Sequence, residues 1–279
     1  MRKIRLKGAA GISLAADVGG DPNRQPVVLL HGGGQTRHSW KNAAQRLIDY
    51  GYYTVSLDLR GHGDSEWSHD QDYSLDVFVA DLREVLKPLR RPPVLVGASL
   101  GGLASLLTVG EARQPAHGLV LVDVVPRIEA DGAEEIRQFM QAAPNGFANL
   151  QEAADAVAAY LPHRQRPTDL TGLERNLRLG SDGRYRWHYD PALTSQHNSH
   201  NRQQPVRLEA AASAVDIPTL LIRGSASRLV SEQGVKQLLE LIPHAQLVNV
   251  AGAQHMVAGD RNDVFNDALL DFLSRSVEA

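Results

Sequence analysis

The sequence predicts an α/β fold: a doubly wound, mostly parallel sheet interrupted by a mainly helical cap insertion. Short runs that are apolar on both faces alternate with longer stretches of helical periodicity, as strands covered by helices on both faces require. That alternation stops at about residue 126 and resumes at about 215. With 279 residues, 43% hydrophobic and 22% charged, the chain is long and apolar enough to bury one large core.

Residues 1–7 alternate charged and apolar side chains, the pattern of a strand with one solvated face. No apolar run of signal-peptide length follows, so the expected location is cytoplasmic. Buried strands are expected at 27–30, 52–57, 93–97, 118–122, 218–222 and 245–250, and helices at 39–49, 75–88, 100–112, 231–241 and 261–275. The core is then 1–125 with 215–279, and the cap is 126–214. Inside the cap, 133–142 and 150–160 are rich in helix formers. The later part is turn-prone, through Pro162, Pro167, Gly172 and Ser181-Asp182-Gly183. Tyr185, Trp187, Tyr189 and the Leu173-Leu177-Leu179 spacing argue that it packs rather than serving as a linker.

The net charge is −3 and cysteine is absent. There is no basic field for nucleic acid, no thiol chemistry and no thiolate zinc site. No stretch approaches the roughly 20 apolar residues of a membrane helix. No nucleic acid, membrane, metal or cofactor is expected as a partner. A homodimer is left open. His197 and His200 have helical i,i+3 spacing, but no third ligand follows at metal-site distance, and a polar loop of the cap accounts for them.

Three segments carry chemistry. In Val94-Leu95-Val96-Gly97-Ala98-Ser99-Leu100-Gly101-Gly102 a strand runs through Gly-x-Ser-x-Gly into a helix. Such a turn strains the serine backbone and presents its hydroxyl at the positive end of a helix dipole. In isolation the motif is common; between a strand and a helix it marks Ser99 as a nucleophile. Leu29-Leu30-His31-Gly32-Gly33-Gly34 also ends a strand. Its amides suit a developing oxyanion, and the Gly33 and Leu100 N–H groups are the candidates. A phosphate loop would need Gly-Lys-Ser/Thr or Gly-x-Gly-x-x-Gly, and neither is present here. Val250-Ala251-Gly252-Ala253-Gln254-His255 follows the last strand, where a base reaches a neighbouring strand end, so His255 is the candidate base.

Together these segments resemble the α/β-hydrolase superfamily, in its serine-nucleophile branch with a helical cap. Asp58-Leu59-Arg60-Gly61-His62-Gly63-Asp64-Ser65 is similar to the family's Asp-x-Arg-Gly-x-Gly-x-Ser stretch, read here as a structural turn organised by Asp58 and Arg60. The ending His255-Met256-Val257-Ala258-Gly259-Asp260 looks like bacterial members labelled epoxide-hydrolase-like or peroxidase-like. Epoxide hydrolases of this fold attack with aspartate, whereas this chain has Ser99. The resemblance implies metal-free cleavage of a small ester or lactone through an acyl-enzyme. A lyase, cyclase or perhydrolase on the same scaffold, or a silent binding protein, are the alternatives.

One position departs from the family. Its acid belongs at or beside 228, after the strand at 218–222, and here an arginine stands there. A positive charge about 5 Å from the imidazolium costs about 3 kcal/mol at an effective dielectric near 20, unless the side chain points away. Asp123, at the end of the preceding strand where some relatives carry their acid, is the expected substitute. Glu232 is a second candidate, and a dyad without an acid is the remaining one. His38, Trp40, Trp187 and Tyr189 are the candidate pocket residues.

Overall fold

The computed structural model describes residues 1–279 except 114, 163–165, 167, 203, 256, 258–261 and 277–279, and without the side chains of 200 and 201. The expectations placed on Pro167, on the His200 side chain, on Met256 and on the Ala258, Gly259 and Asp260 ending therefore lie outside the described residues. So does the first residue of the helix expected at 261–275.

Eight strands form one sheet: β1 (Arg2–Lys7), β2 (Ser13–Gly19), β3 (Pro26–Leu30), β4 (Tyr53–Leu57), β5 (Val94–Ala98), β6 (Gly118–Val122), β9 (Thr219–Gly224) and β10 (Gln246–Val250). Their spatial order is β1-β2-β4-β3-β5-β6-β9-β10. β2 pairs antiparallel with β1 and β4, and every other pairing in the sheet is parallel. Strands β3, β6 and β9 are buried along their whole length, which explains their mainly apolar sequences. Period-two alternation sends Val28, Leu30, Leu95 and Leu119 into one core layer and Val27, Leu29, Val94 and Val120 into the opposite one. The sequence does not announce β2. Its Leu14-Ala15-Ala16-Asp17 run lacks the β-branched and aromatic residues that mark strands.

Helices α1 (Lys41–Asp49), α2 (Leu75–Leu86), α3 (Leu100–Gly110), α9 (Glu232–Leu241) and α10 (Asn262–Ser276) cover the sheet. From β3 the chain crosses to β4 on one side, while β5 and β6 lie on the other. The carboxyl ends of β3 and β5 therefore form a topological switch point, where ligands of open α/β sheets bind.

Between β6 and β9 lie α4 (Ala130–Gln141), α5 (Leu150–Tyr160), α6 (Thr171–Glu174), α7 (Gln196–Arg202) and α8 (Pro205–Ser213). A hairpin of β7 (Leu177–Leu179) and β8 (Tyr185–Trp187) joins them. Three-residue strands are too short for a periodic signal, and only the Asp182-Gly183 turn announces this one. Helix α8 packs on α3, where a side chain at Gly110 would overlap the Ala211 carbonyl, and its Leu208, Ala211 and Ala212 join the sheet core. No helix among the described residues is long and apolar enough to cross a membrane.

Candidate active site

Ser99 stands at the turn from β5 into α3 with φ 45° and ψ −114°, outside the regions that an L-residue prefers and of order 1–3 kcal/mol in strain. Its N–H donates to the Val122 carbonyl at 3.2 Å, and its own carbonyl accepts from Leu103 N–H at 2.9 Å. The close approach needs glycine. A Cβ at Gly97 would overlap the Gly101 carbonyl, and one at Gly101 would overlap that of Leu30. With Leu30 in register with Gly97, the loop after β3 arrives beside the serine.

Asp123 ends β6, also in the left-handed region with φ 47°, a conformation that aspartate tolerates better than most residues. Its carboxylate is fully buried. Oδ1 accepts from Gly224 N–H at 3.1 Å, and Oδ2 accepts from Ser227 Oγ at 2.6 Å and from His255 Nδ1 at 2.8 Å. A proton held on Nδ1 leaves Nε2 of His255 as the free acceptor. The His255 side chain keeps 22% exposure, and the cavity it lines also contains Ser99.

Arg228 does not face this group. Its side chain is 68% exposed and pairs with Glu135 of α4 at 2.9 Å, so the expected 3 kcal/mol penalty does not arise. Glu232 is exposed in the first turn of α9 and does not meet His255 in any described contact. Sequence reasoning missed Ser227; two serines in the turn after a core strand, Ser225 and Ser227, were the available signal.

The loop at 32–34 rests on three imidazoles. His31 donates from Nδ1 to the Gly32 carbonyl at 2.8 Å and accepts from Leu59 N–H at Nε2. His62 donates from Nδ1 to the Arg60 carbonyl, and its Nε2 accepts from Gly34 N–H at 3.1 Å. His188 accepts from Gly63 N–H at 2.7 Å and donates from Nε2 to the Gly34 carbonyl at 3.1 Å. Each ring gives one hydrogen bond and takes one, the pattern of neutral imidazole. Burial is the main cause that lowers all three pKa values, His62 well below its usual range and His188 to about 4. Beneath them Asp58 ion-pairs with Arg37 and accepts from the backbone N–H groups of Arg37 and Asp64. Arg60 makes a two-pronged pair with Asp81 at 2.6 and 2.7 Å. The N–H groups of Gly33 and Leu100 meet no acceptor among the described residues, and both residues line the cavity.

That cavity has a volume of ≈ 570 Å³. Trp187 and Tyr189 line it as expected, and so do Leu103, Phe139, Met140 and Tyr160, which helical spacing alone did not single out. Trp40 and His38 are corrections. Trp40 is 1% exposed and packs on Phe265 at 5.7 Å in the core layer of α1 and α10. His38 lies beside Asp17 at 3.8 Å, outside the cavity lining.

Comparison with known proteins agrees with this architecture. Residues 25–261 match the model of the alpha/beta hydrolase fold family. Esterase Rv0045c of Mycobacterium tuberculosis is 30% identical over 259 residues, covering 90% of this chain and 83% of the esterase. The sn-1-specific diacylglycerol lipase ABHD11 of Mus musculus is 28% identical over 262 residues, covering 91% and 83%. The crystal structure of E-2-(acetamidomethylene)succinate hydrolase superposes with a TM-score of 0.86 at 23% identity, covering 98% of this chain and 100% of that one, a likeness of fold. The elbow, the switch point and these matches lead to one conclusion: the chain belongs to the α/β-hydrolase family and is a hydrolase.

Proposed function

We propose that this enzyme hydrolyses small carboxylic esters or lactones through an acyl-enzyme on Ser99. The reading rests on one observation above all: Asp123 holds His255 at 2.8 Å in the tautomer that leaves Nε2 free, in the cavity that contains Ser99. His255 takes the Ser99 proton as Oγ attacks the acyl carbon, and the buried carboxylate stabilises the imidazolium that forms. The oxyanion lies between the Gly33 and Leu100 amides, which need no reorganisation to receive it. His255 returns the proton to the leaving alcohol, then activates the water that releases the acid and restores Ser99.

The names of the relatives, an esterase and a lipase, favour esters over amides. The missing acid at 228 favours a non-hydrolytic reaction modestly, and the Asp123 carboxylate on His255 weakens that argument. A fluorophosphonate probe tests the reading. Labelling of Ser99 in the wild type, absent in Ser99→Ala together with at least a thousandfold loss of ester turnover, is the expected result. An unlabelled wild type, or a Ser99→Ala variant that still turns over esters at the wild-type rate, refutes it.

A further inference from the structure

Several guanidinium groups in this chain meet a carboxylate: Arg60 meets Asp81, Arg127 meets Glu209, and Arg207 meets Asp76 and Glu111. Arg202 does not. It ends α7 inside the cavity lining, half-buried, and among the described residues donates only to two backbone carbonyls, Tyr73 at 3.0 Å and Leu193 at 2.7 Å. A guanidinium carries five N–H donors, so most of its hydrogen-bonding capacity is unused among the described residues. Burial lowers its pKa to about 10 with no carboxylate to offset the effect. It remains charged at neutral pH, and its field reaches His62 under the oxyanion loop. Leaving a desolvated cation unpaired is costly, and the unpaired donors belong to a residue that faces ligand space.

The surroundings define what would complete it. Ser199 lies one helical turn before Arg202 and lines the same cavity, as does Thr194. The other cation of the cavity, Arg137, is already paired with Glu134. The rest of the lining is mainly apolar, with Leu103, Phe139, Met140, Trp187 and Tyr189 among its residues. We propose that Arg202 is a specificity residue that binds a carboxylate of the substrate, so that the preferred esters bear a free acid separated from the scissile bond by an apolar spacer. Half-esters of aliphatic dicarboxylic acids have this chemistry. A guanidinium pairs with a carboxylate through two parallel hydrogen bonds, and Ser199 is placed to add a third donor. The inference rests on the ester-hydrolase reading and adds the substrate class.

The test compares the para-nitrophenyl monoester of adipic acid with para-nitrophenyl hexanoate. The quantity read is the ratio of their kcat/KM values, charged over neutral, which does not depend on the fraction of enzyme correctly folded. Arg202→Gln is expected to lower that ratio 10- to 100-fold, the range of a charge-assisted pair, mainly through KM. Arg202→Lys retains the cation and restores part of it. In the wild type, hexanoate anion should inhibit hydrolysis of the neutral ester at least tenfold more tightly than hexanol does. That measurement needs no variant to fold. A ratio unchanged in Arg202→Gln, or equal inhibition by the acid and the alcohol, overturns the proposal and leaves Arg202 as a tie between α7 and the Tyr73 and Leu193 carbonyls. Failure of the ester reading looks different: neither ester is turned over and Ser99 resists the fluorophosphonate, and both proposals then fall.

Discussion

The turns that follow β6 and β9 occupy adjacent positions at the same end of the sheet, yet they are opposites in chemistry. The first carries a fully buried carboxylate on a left-handed backbone, Asp123, with three hydrogen bonds. The second carries an exposed arginine that faces α4. It is nevertheless not idle, because Gly224 N–H and Ser227 Oγ, two of the three donors to Asp123, come from it. The carboxylate beside His255 thus sits one strand away from the position that the family resemblance leads one to expect, and the turn without a carboxylate supports it. In the proposed mechanism the task of the carboxylate falls to the neighbouring strand end.

This contrast can be broken at three places. Asp123→Asn removes the charge that stabilises the imidazolium and favours the wrong tautomer; a loss in kcat of about 10²- to 10⁴-fold is expected on a para-nitrophenyl ester. A loss below tenfold removes Asp123 from the mechanism. Ser227→Ala deletes one donor to a buried carboxylate, worth roughly 1–3 kcal/mol. Turnover should fall about five- to fiftyfold, while KM changes little; unchanged kcat would make Ser227 a brace of its own turn, where its Oγ also accepts from Leu229 and Val230 N–H. Arg228→Gln is expected to change kcat/KM less than threefold, since an exposed ion pair contributes about 0–1 kcal/mol. A tenfold gain would show that the arginine's charge does reach His255.

Much of this was legible from local sequence, and the reason is the distance over which each signal acts. The core strands announced themselves because burial on both faces favours apolar residues at most positions. Ser99, Gly33, Leu100 and His255 stand at turns directly attached to such strands, so a short motif located them. Asp123 ends a strand too, although its partnership with His255 spans 132 residues. His188 and Arg202 belong to the inserted layer. Their partners, Gly63 and Tyr73, are 125 and 129 residues away, and no spacing rule connects them. Trp40 misled because an aromatic residue near a glycine loop reads equally as pocket wall or core, and only the face of the sheet decides.

The neutral rings beneath residues 32–34 carry a liability in acid. The His188 pKa of about 4 lies below the usual 6.5 because burial disfavours the cation. Between those values an unfolded chain takes up a proton that the folded one refuses. The contribution of this ring to stability is therefore complete at neutral pH, declines as pH falls below about 6.5, and is gone below about 4, a total of about 3 kcal/mol. His31 and His62 act in the same direction. Once protonated, a ring nitrogen that had received a backbone N–H would confront it with a hydrogen of its own. Souring the medium would thus loosen the floor under the loop at 32–34, and the stability of the fold is bounded on that side by its foundations.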